Sequence, residues 1–231
     1  MSHVAHDLVV ASSSPTLRRV PRRPLDLISL HVPKAFGTSL RQLLIRHYGR
    51  RRVATDYKTF LEAECDGGAK IAVPASAVAI HGHFPATRYM GLPALRRVTF
   101  LREPVARAIS HYFFWLNEPR HGNPAHDRVL DEKLGLLDFA RLPQIRWFYT
   151  RTIFGGADLS GFDLIGVVER LDRDWPIFRK LTGIRADLPH LNPNRHPAYA
   201  EEASRIAADT DAMAMLRHLL DEDIEFYRRF L

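Results

Sequence analysis

The chain has a single cysteine, Cys65, among its 231 residues. That excludes an internal disulfide framework and a cysteine-built zinc site, and it suits a reducing compartment. No apolar run approaches the roughly 20 residues that a membrane span needs. Near the N-terminus only "LVVA" is apolar, too short for the core of a secretory signal. The expectation is a cytoplasmic protein without a membrane span. No internal repeat is present. Acidic residues are the minority, 26 against 33 Lys and Arg, which gives a formal net charge of +7 and a pI near 9.8. Such a balance favours anionic partners such as acidic glycans, anionic lipid or a phosphorylated cofactor. The cations are spread out and no nucleic-acid-binding module is recognisable, so nucleic acid is not the expected partner.

Hydrophobic residues make up 46% of the chain, enough for the core of one large domain. Residues 1–24, containing "ASSSPTLRRVPRRP", have no period and read as a flexible basic tail. Strand-like runs at "LDLISLHV", "AVAIHGHF", "RRVTFLREP" and "FDLIGVVERL" alternate with helical patterns. "TSLRQLLIRHYG" is one of these, with Leu40, Leu43, Leu44 and Tyr48 on one face and Gly49 as its C-cap; "VARAISHYFFWL", opened by Pro104, is another. "LLDFARLPQIRWFYTRTIFG" reads as two helical pieces around Pro143, and the C-terminal stretch as a helix broken near 220. The polar segment 117–135 reads as a surface excursion, and "LPHLNPNRHP" as a loop. This alternation predicts a single α/β, P-loop-like domain over residues 25–231, with a central, mostly parallel sheet flanked by helices. In such sheets ligands bind at the carboxyl ends of the strands.

Three predicted strand ends carry unusual chemistry. "HVPKAFGTSL" (31–40) runs from a strand into a helix, whose N-terminal amides and positive dipole end suit an anion. Lys34 adds a full charge there, and Thr38 and Ser39 add hydroxyls. The same residues would also serve as an ordinary capped helix start. "FLREPVARAIS" places Arg102 at a strand end and Ser110 on the following helix, a fork and a hydroxyl fit for a phosphate. Pairing of Arg102 with a nearby acid such as Glu103 is the plainer reading. "HGHF" puts His81 and His83 on one side of an extended segment. They are candidates for a general base and its helper, for metal ligands, or for two structural histidines in a chain that has 12. No third ligand lies close in sequence.

Together these stretches resemble the sulfotransferases that use 3′-phosphoadenosine 5′-phosphosulfate (PAPS). "LHVPKAFGTSL" is similar to their 5′-phosphosulfate loop, and "VTFLREPVARAISHY" to their 3′-phosphate segment. "IHGHF" resembles the His-Gly-His of heparan sulfate and uronyl 2-O-sulfotransferases, and "FDLIGVVERLD" and "LPHLNPN" resemble later stretches of that carbohydrate branch. The resemblance spans roughly residues 25–230.

The resemblance implies sulfuryl transfer from PAPS to an acceptor hydroxyl, most simply on a carbohydrate or glycan. PAP would be the product and no metal would be needed. It implies that Lys34 meets the 5′-phosphosulfate. The amides of Phe36, Gly37, Thr38, Ser39 and Leu40, with the Thr38 and Ser39 hydroxyls, would cradle the 5′-phosphate. Arg102 and Ser110 would bind the 3′-phosphate. His83 would be the general base, with His81 beside the acceptor. The chain departs from the family pattern at Ala35, usually Thr, at Phe36, usually a small residue, and at Glu103, usually Asp. Loss of a donor at 35 and a bulky ring at 36 are expected to narrow or re-aim the loop. They leave open a non-catalytic binder of the nucleotide or of acidic glycans. A P-loop kinase is disfavoured, since the Gly-Lys-Ser/Thr signature and a clear magnesium aspartate are absent. The acceptor loops are expected within 50–75 and 117–135. Oligomeric state is not legible.

Overall fold

The computed structural model describes residues 23–57, 73–187 and 199–231. Nearly all of the expected tail, Cys65 and the "LPHLNPNRHP" loop lie outside the described residues. Five short strands form one parallel sheet: β1 (Leu27–Leu30), β2 (Val53–Asp56), β3 (Ala79–Gly82), β4 (Arg97–Leu101) and β5 (Leu164–Val167). Their order is β2-β3-β1-β4-β5, so β1 is central. β1 is buried along its whole length, as a parallel strand covered on both faces should be.

Helix α1 (Gly37–Tyr48) follows β1, and α2 (Pro104–Asn117) follows β4. The Glu103 carboxylate caps α2 by accepting from the amides of Val105 and Ala106, and Pro104 occupies its first turn. Next come α3 (Pro124–Asp131), α4 (Leu136–Arg141), α5 (Pro143–Arg146) and a π-helical turn over Phe148–Ile153. Helix α6 (Leu171–Thr182) follows β5 and stops at Gly183, whose φ of 70° is left-handed. Helices α7 (Tyr199–Ala208), α8 (Thr210–Leu219) and α9 (Asp221–Arg228) complete the chain, with the expected break at Leu220.

Alternation along the strands divides the core. Leu27, Ala79, Val98 and Phe100 face α1 and α6, where Leu40, Leu44, Trp175 and Phe178 meet them. Ile28, Leu30, Ile80 and Leu101 pack with Tyr149 and Ile153 of the π-helical turn and with Phe226 of α9. A third cluster joins α2 to α4 and α8 through Phe113, Phe139 and Leu216.

Two expectations need correction. The polar stretch 117–135 is not simply a surface excursion: α3 forms within it, capped by Asn123, and buries His126 and Val129 against α2. The predicted loop 50–75 begins with a turn at Arg50–Arg52 and then supplies the edge strand β2. A strand of four residues is too short to show an alternation by itself.

A chain of polar contacts ties α9 to the sheet. Asp223, fully buried, accepts from the amides of Tyr149 and Thr150 and from the Thr150 hydroxyl. Tyr149 Oη in turn accepts from the Arg102 amide at 3.1 Å and donates to the Arg102 carbonyl at 2.7 Å. Replacing Asp223 by Ala strands two amides of the π-helical turn. Urea denaturation of Asp223→Ala should show a loss of about 2–4 kcal/mol, against under 1 kcal/mol for an exposed acid such as Glu225.

Candidate functional site

All five strands direct their carboxyl ends to one mouth. His31 and Lys34 follow β1, Tyr57 follows β2, His83 follows β3, Arg102 follows β4 and Glu169 follows β5. The first loop turns twice through left-handed backbone, at Lys34 (φ 66°) and at Phe36 (φ 70°), before α1 begins at Gly37. No side chain caps α1. The amides of Gly37, Thr38 and Ser39 belong to its first turn, where a helix has no carbonyl of its own to offer them. Leu40 was expected in this cradle, but its amide donates to the Phe36 carbonyl at 3.2 Å, the first regular bond of the helix. The cradle is therefore shorter by one amide. Thr38 is exposed at the mouth, while Ser39 is buried.

Neither departure from the family pattern fills the loop. The Phe36 ring turns down into the core, edge-on to Phe100 (5.6 Å between centroids) and to Trp175 (5.8 Å). Ala35 is buried in the core cluster on the other face of the sheet. The expected narrowing does not occur, because the ring lies beneath the loop rather than in its mouth.

Lys34 extends over Phe114 of α2, with Nζ 4.2 Å from the ring centroid. Burial and the neighbouring Arg102 charge lower its pKa to about 8, against an opposing pull from Glu118. Arg102 is half-buried, and its Nη1 donates to the Lys34 carbonyl at 3.3 Å, fastening the end of β4 to the loop. Glu103 is occupied as the cap of α2 rather than as a partner of Arg102. Ser110 is buried on the second turn of α2. One turn before it, Arg107 is fully buried with its guanidinium 3.8 Å from the Phe148 ring centroid, and burial lowers its pKa.

The histidines form a cluster that includes one the motif reading did not single out. His81 is fully buried and bridges two elements: Nδ1 lies 2.9 Å from Ser29 Oγ and Nε2 lies 3.2 Å from the Gly37 carbonyl. A carbonyl only accepts, so Nε2 carries the proton and Nδ1 accepts from the serine. His31 stacks on His81 (5.2 Å, 17°) and leans on His83 (4.3 Å). Tyr57 packs edge-on against His83 (4.8 Å), its hydroxyl 3.4 Å from His31 Nδ1. The Arg41 guanidinium stands over the Tyr57 ring. Among the described residues no group of three His, Cys, Asp or Glu could hold a metal ion, so the histidines do not read as a metal centre. His83 Nε2 is shielded from solvent and has no hydrogen-bond partner among the described residues. Burial lowers the pKa of His83 to about 4 and, with the His83 charge, that of His81 to about 3. Both rings are neutral at pH 7.

Sequence reasoning singled out Lys34, Arg102, Ser110, His81 and His83, and the fold brings the ends of β1, β3 and β4 to one end of the sheet. It missed Tyr57, because β2 was not recognised, and Tyr149, whose hydroxyl acts on a backbone 47 residues away.

With this geometry in place, comparison with known proteins is decisive at one level. Residues 21–228 match the family model described as "Sulfotransferase family". The chain belongs to the sulfotransferase family. No curated protein matches it. Among solved structures it is similar to a sulfotransferase from Alicyclobacillus acidocaldarius, at 17% identity and TM-score 0.41 over 89% of this chain and 99% of the other. It is also similar to mouse sulfotransferase SULT7A1 complexed with PAP, at 15% identity and TM-score 0.35 over 82% and 66% of the two chains. Retinol dehydratase, solved with androsterone and inactive cofactor PAP, aligns at 13% identity and TM-score 0.36 over 89% and 82%.

A methyl group on Gly37 would stand 1.7 Å from His31 Cδ2. Gly37→Ala should therefore lower stability by about 1–3 kcal/mol in urea denaturation, and adding His31→Ala should recover part of that loss. Failure of the second change to rescue the first would place the glycine's constraint elsewhere. The buried histidines also set an acid limit. Their folded pKa values lie below the unfolded value of about 6.5, so their contribution to stability is complete above that pH. It is lost as pH falls from about 6.5 toward 4. Urea midpoints measured across this range should drop in the native chain and drop less in His83→Gln.

Proposed function

We propose that this protein transfers the sulfuryl group of PAPS to a hydroxyl of a carbohydrate or glycan acceptor, releasing PAP. The observation that carries the reading is the facing of two unlike halves across the mouth. On one side stand Lys34, Arg102 and an α1 start that no side chain caps. On the other stands His83 with an unpartnered, shielded Nε2. A cationic cradle opposite a neutral imidazole suits a reaction that moves an anionic group onto a deprotonating hydroxyl.

The residues fit the donor. Gly37, Thr38 and Ser39 amides, with the exposed Thr38 hydroxyl, would hold the 5′-phosphate. Lys34 would stabilise charge at the leaving oxygen, where fixed donors have their largest effect. Arg102 and Ser110 would hold the 3′-phosphate. When bound, PAPS supplies a sulfuryl group poised for in-line transfer. His83 would take the acceptor proton at Nε2. His81, both of whose nitrogens are engaged, is assigned a positioning part: it fixes the Gly37 carbonyl and hence the cradle. The carbohydrate acceptor is supported by the His-Gly-His stretch and by the net positive charge.

The test is a labelled-PAPS assay without added metal over glycans, lipid-linked sugars, small alcohols and tyrosine peptides. Transfer to a glycan is expected. Lys34→Ala should lower kcat about 10²–10³-fold and His83→Ala about 10²–10⁴-fold. Full activity in both variants would sink the site assignment. Tight PAP binding with no transfer to any acceptor would make the chain a nucleotide binder instead.

The pH profile follows from the same groups. His83 works neutral, so kcat/KM falls as pH drops through about 4, and Lys34 works charged, so it falls as pH rises through about 8. Bound anionic donor favours the protonated form of both, so the limbs of kcat should lie higher than those of kcat/KM. Lys34→Arg, whose guanidinium stays charged, should lose the alkaline fall, and Lys34→Met should be slow at every pH; a fall near pH 8 that persists in Lys34→Arg would remove Lys34 as its source.

A further inference from the structure

Among the described residues some exposed arginines have an acid partner and others, Arg217 and Arg229 among them, have none. Arg120, Arg128, Arg141, Arg151, Arg205 and Arg228 each pair with a carboxylate close by on the helical side of the fold. At the opposite end of the sheet from the mouth Arg96 pairs with Asp163 at 3.6 Å, but most of the cations have no such partner among the described residues. The turn after α1 exposes Arg50, Arg51 and Arg52 at the amino end of β2. The end of α6 exposes Arg179, Lys180 and Arg185, and none of these six forms an ion pair among the described residues. Arg23 enters the sheet at this same end, just ahead of β1. Acids also stand at this end: Asp163 pairs with Arg96, Asp187 is exposed two residues beyond Arg185, and Asp26 acts on Tyr48 alongside Arg52.

Helix dipoles account for only part of this. A cation in the last turn of a helix is favourable, which covers Arg46 of α1 and Arg179 and Lys180 of α6. Arg50 to Arg52 and Arg185 lie beyond the helices. Leu181 accepts from Arg96 beside the amino end of β4. β2 and β4 are three strand spacings apart, so the patch spans about 14 Å. A cavity of about 310 Å³ opens within it, lined by Arg179, Lys180 and Arg185 together with Pro176, Gly183 and Ile184.

Two large apolar side chains share this end. Leu95, just before β4, is 58% exposed, and Ile177, one helical turn from Lys180, is 40% exposed. Cations interspersed with protruding apolar side chains match a lipid–water interface, where charge meets headgroups and the apolar groups enter the acyl boundary. A glycan or nucleic-acid backbone gives the charges a partner but offers nothing to Leu95 and Ile177. No helix among the described residues is long and apolar enough to cross a membrane, so the contact is one of surface. We propose that this end of the sheet docks on an anionic phospholipid surface, leaving the mouth at the other end of the sheet open to solvent.

Co-sedimentation of the full chain with vesicles tests this. The chain should partition onto phosphatidylcholine–phosphatidylserine vesicles, leave them as salt is raised, and ignore phosphatidylcholine alone. Each cation near such a surface is worth about fivefold in partition, so Arg50→Gln/Arg51→Gln/Arg52→Gln should lower it about a hundredfold. Leu95→Ser should lower it several-fold while leaving the salt dependence unchanged. Thermal melting and PAP binding should match the native chain in both variants. Equal partition on neutral and anionic vesicles would overturn the proposal. So would retention on heparin or duplex DNA without vesicle binding, which would assign the patch to a different polyanion.

Discussion

The seating of one aromatic ring governs the site. Phe36 holds a left-handed backbone that costs a bulky residue about 1–2 kcal/mol, and a small residue is usual at this position of the family loop. Here the cost is offset from below. Burial of the ring against Phe100 and Trp175 returns up to about 3 kcal/mol, and two edge-on contacts add about 0.5–1.5 kcal/mol each. The ring acts as an anchor where glycine would supply freedom. With Phe36 held in this way, the Gly37 carbonyl meets His81 and α1 begins without a side-chain cap. A loop that glycine would make permissive is made rigid instead, and a rigid cradle costs less to order when an anion arrives.

The charges follow a similar logic. Lys34 and Arg102 are brought together with no carboxylate in hydrogen-bond or ion-pair contact among the described residues, and Glu103, the nearest acid in sequence, is spent on capping α2. Two like charges in a partly buried place destabilise one another, which is why burial and Arg102 both lower the Lys34 pKa. Such an arrangement is unfavourable in isolation and becomes favourable when a dianion enters. The histidines opposite contribute no positive charge, because burial keeps them neutral. The mouth thus carries positive charge at Lys34 and Arg102 and neutral rings at the histidines, a polarity that would orient an anionic donor of the kind proposed above.

Much of this was legible in the sequence, and what was missed has physical reasons. The central strands could be read because each is an apolar run ending in polar residues, and α1 and α2 because their caps and faces agree. Lys34, Arg102 and His83 could be read because strand ends are where parallel sheets expose chemistry. β2 could not: four residues after an arginine triplet carry no period. With it went the buried pair of Asp56 with Arg88 at 2.9 Å, to which Tyr89 Oη adds a 2.7 Å bond. The Tyr149 clamp and Asp223 were invisible for a different reason. Each acts across a separation of 47 to 74 residues on backbone groups, and backbone groups leave no signature in sequence. The effect of Phe36 was misread because a side chain's direction depends on the sign of its own φ, which a sequence does not state.

The His-Gly-His stretch shows how these layers combine. β3 lies between β1 and the edge strand β2. Its glycine is imposed by that edge: a Cβ on Gly82 would stand 1.6 Å from the Asp56 carbonyl oxygen. The alternation of the strand then sends the residues on either side of Gly82 to the α1 face. His81, deeper, reaches the Gly37 carbonyl, and His83, nearer the mouth, keeps an Nε2 without a hydrogen-bond partner among the described residues. One extended segment therefore sets the distance between the group that fixes the cradle and the candidate base. The spacing of two residues is what a strand allows between neighbours on one face, and a helix could not provide it. The motif that looked like two candidates for one role reads better as two roles held in register by a single strand.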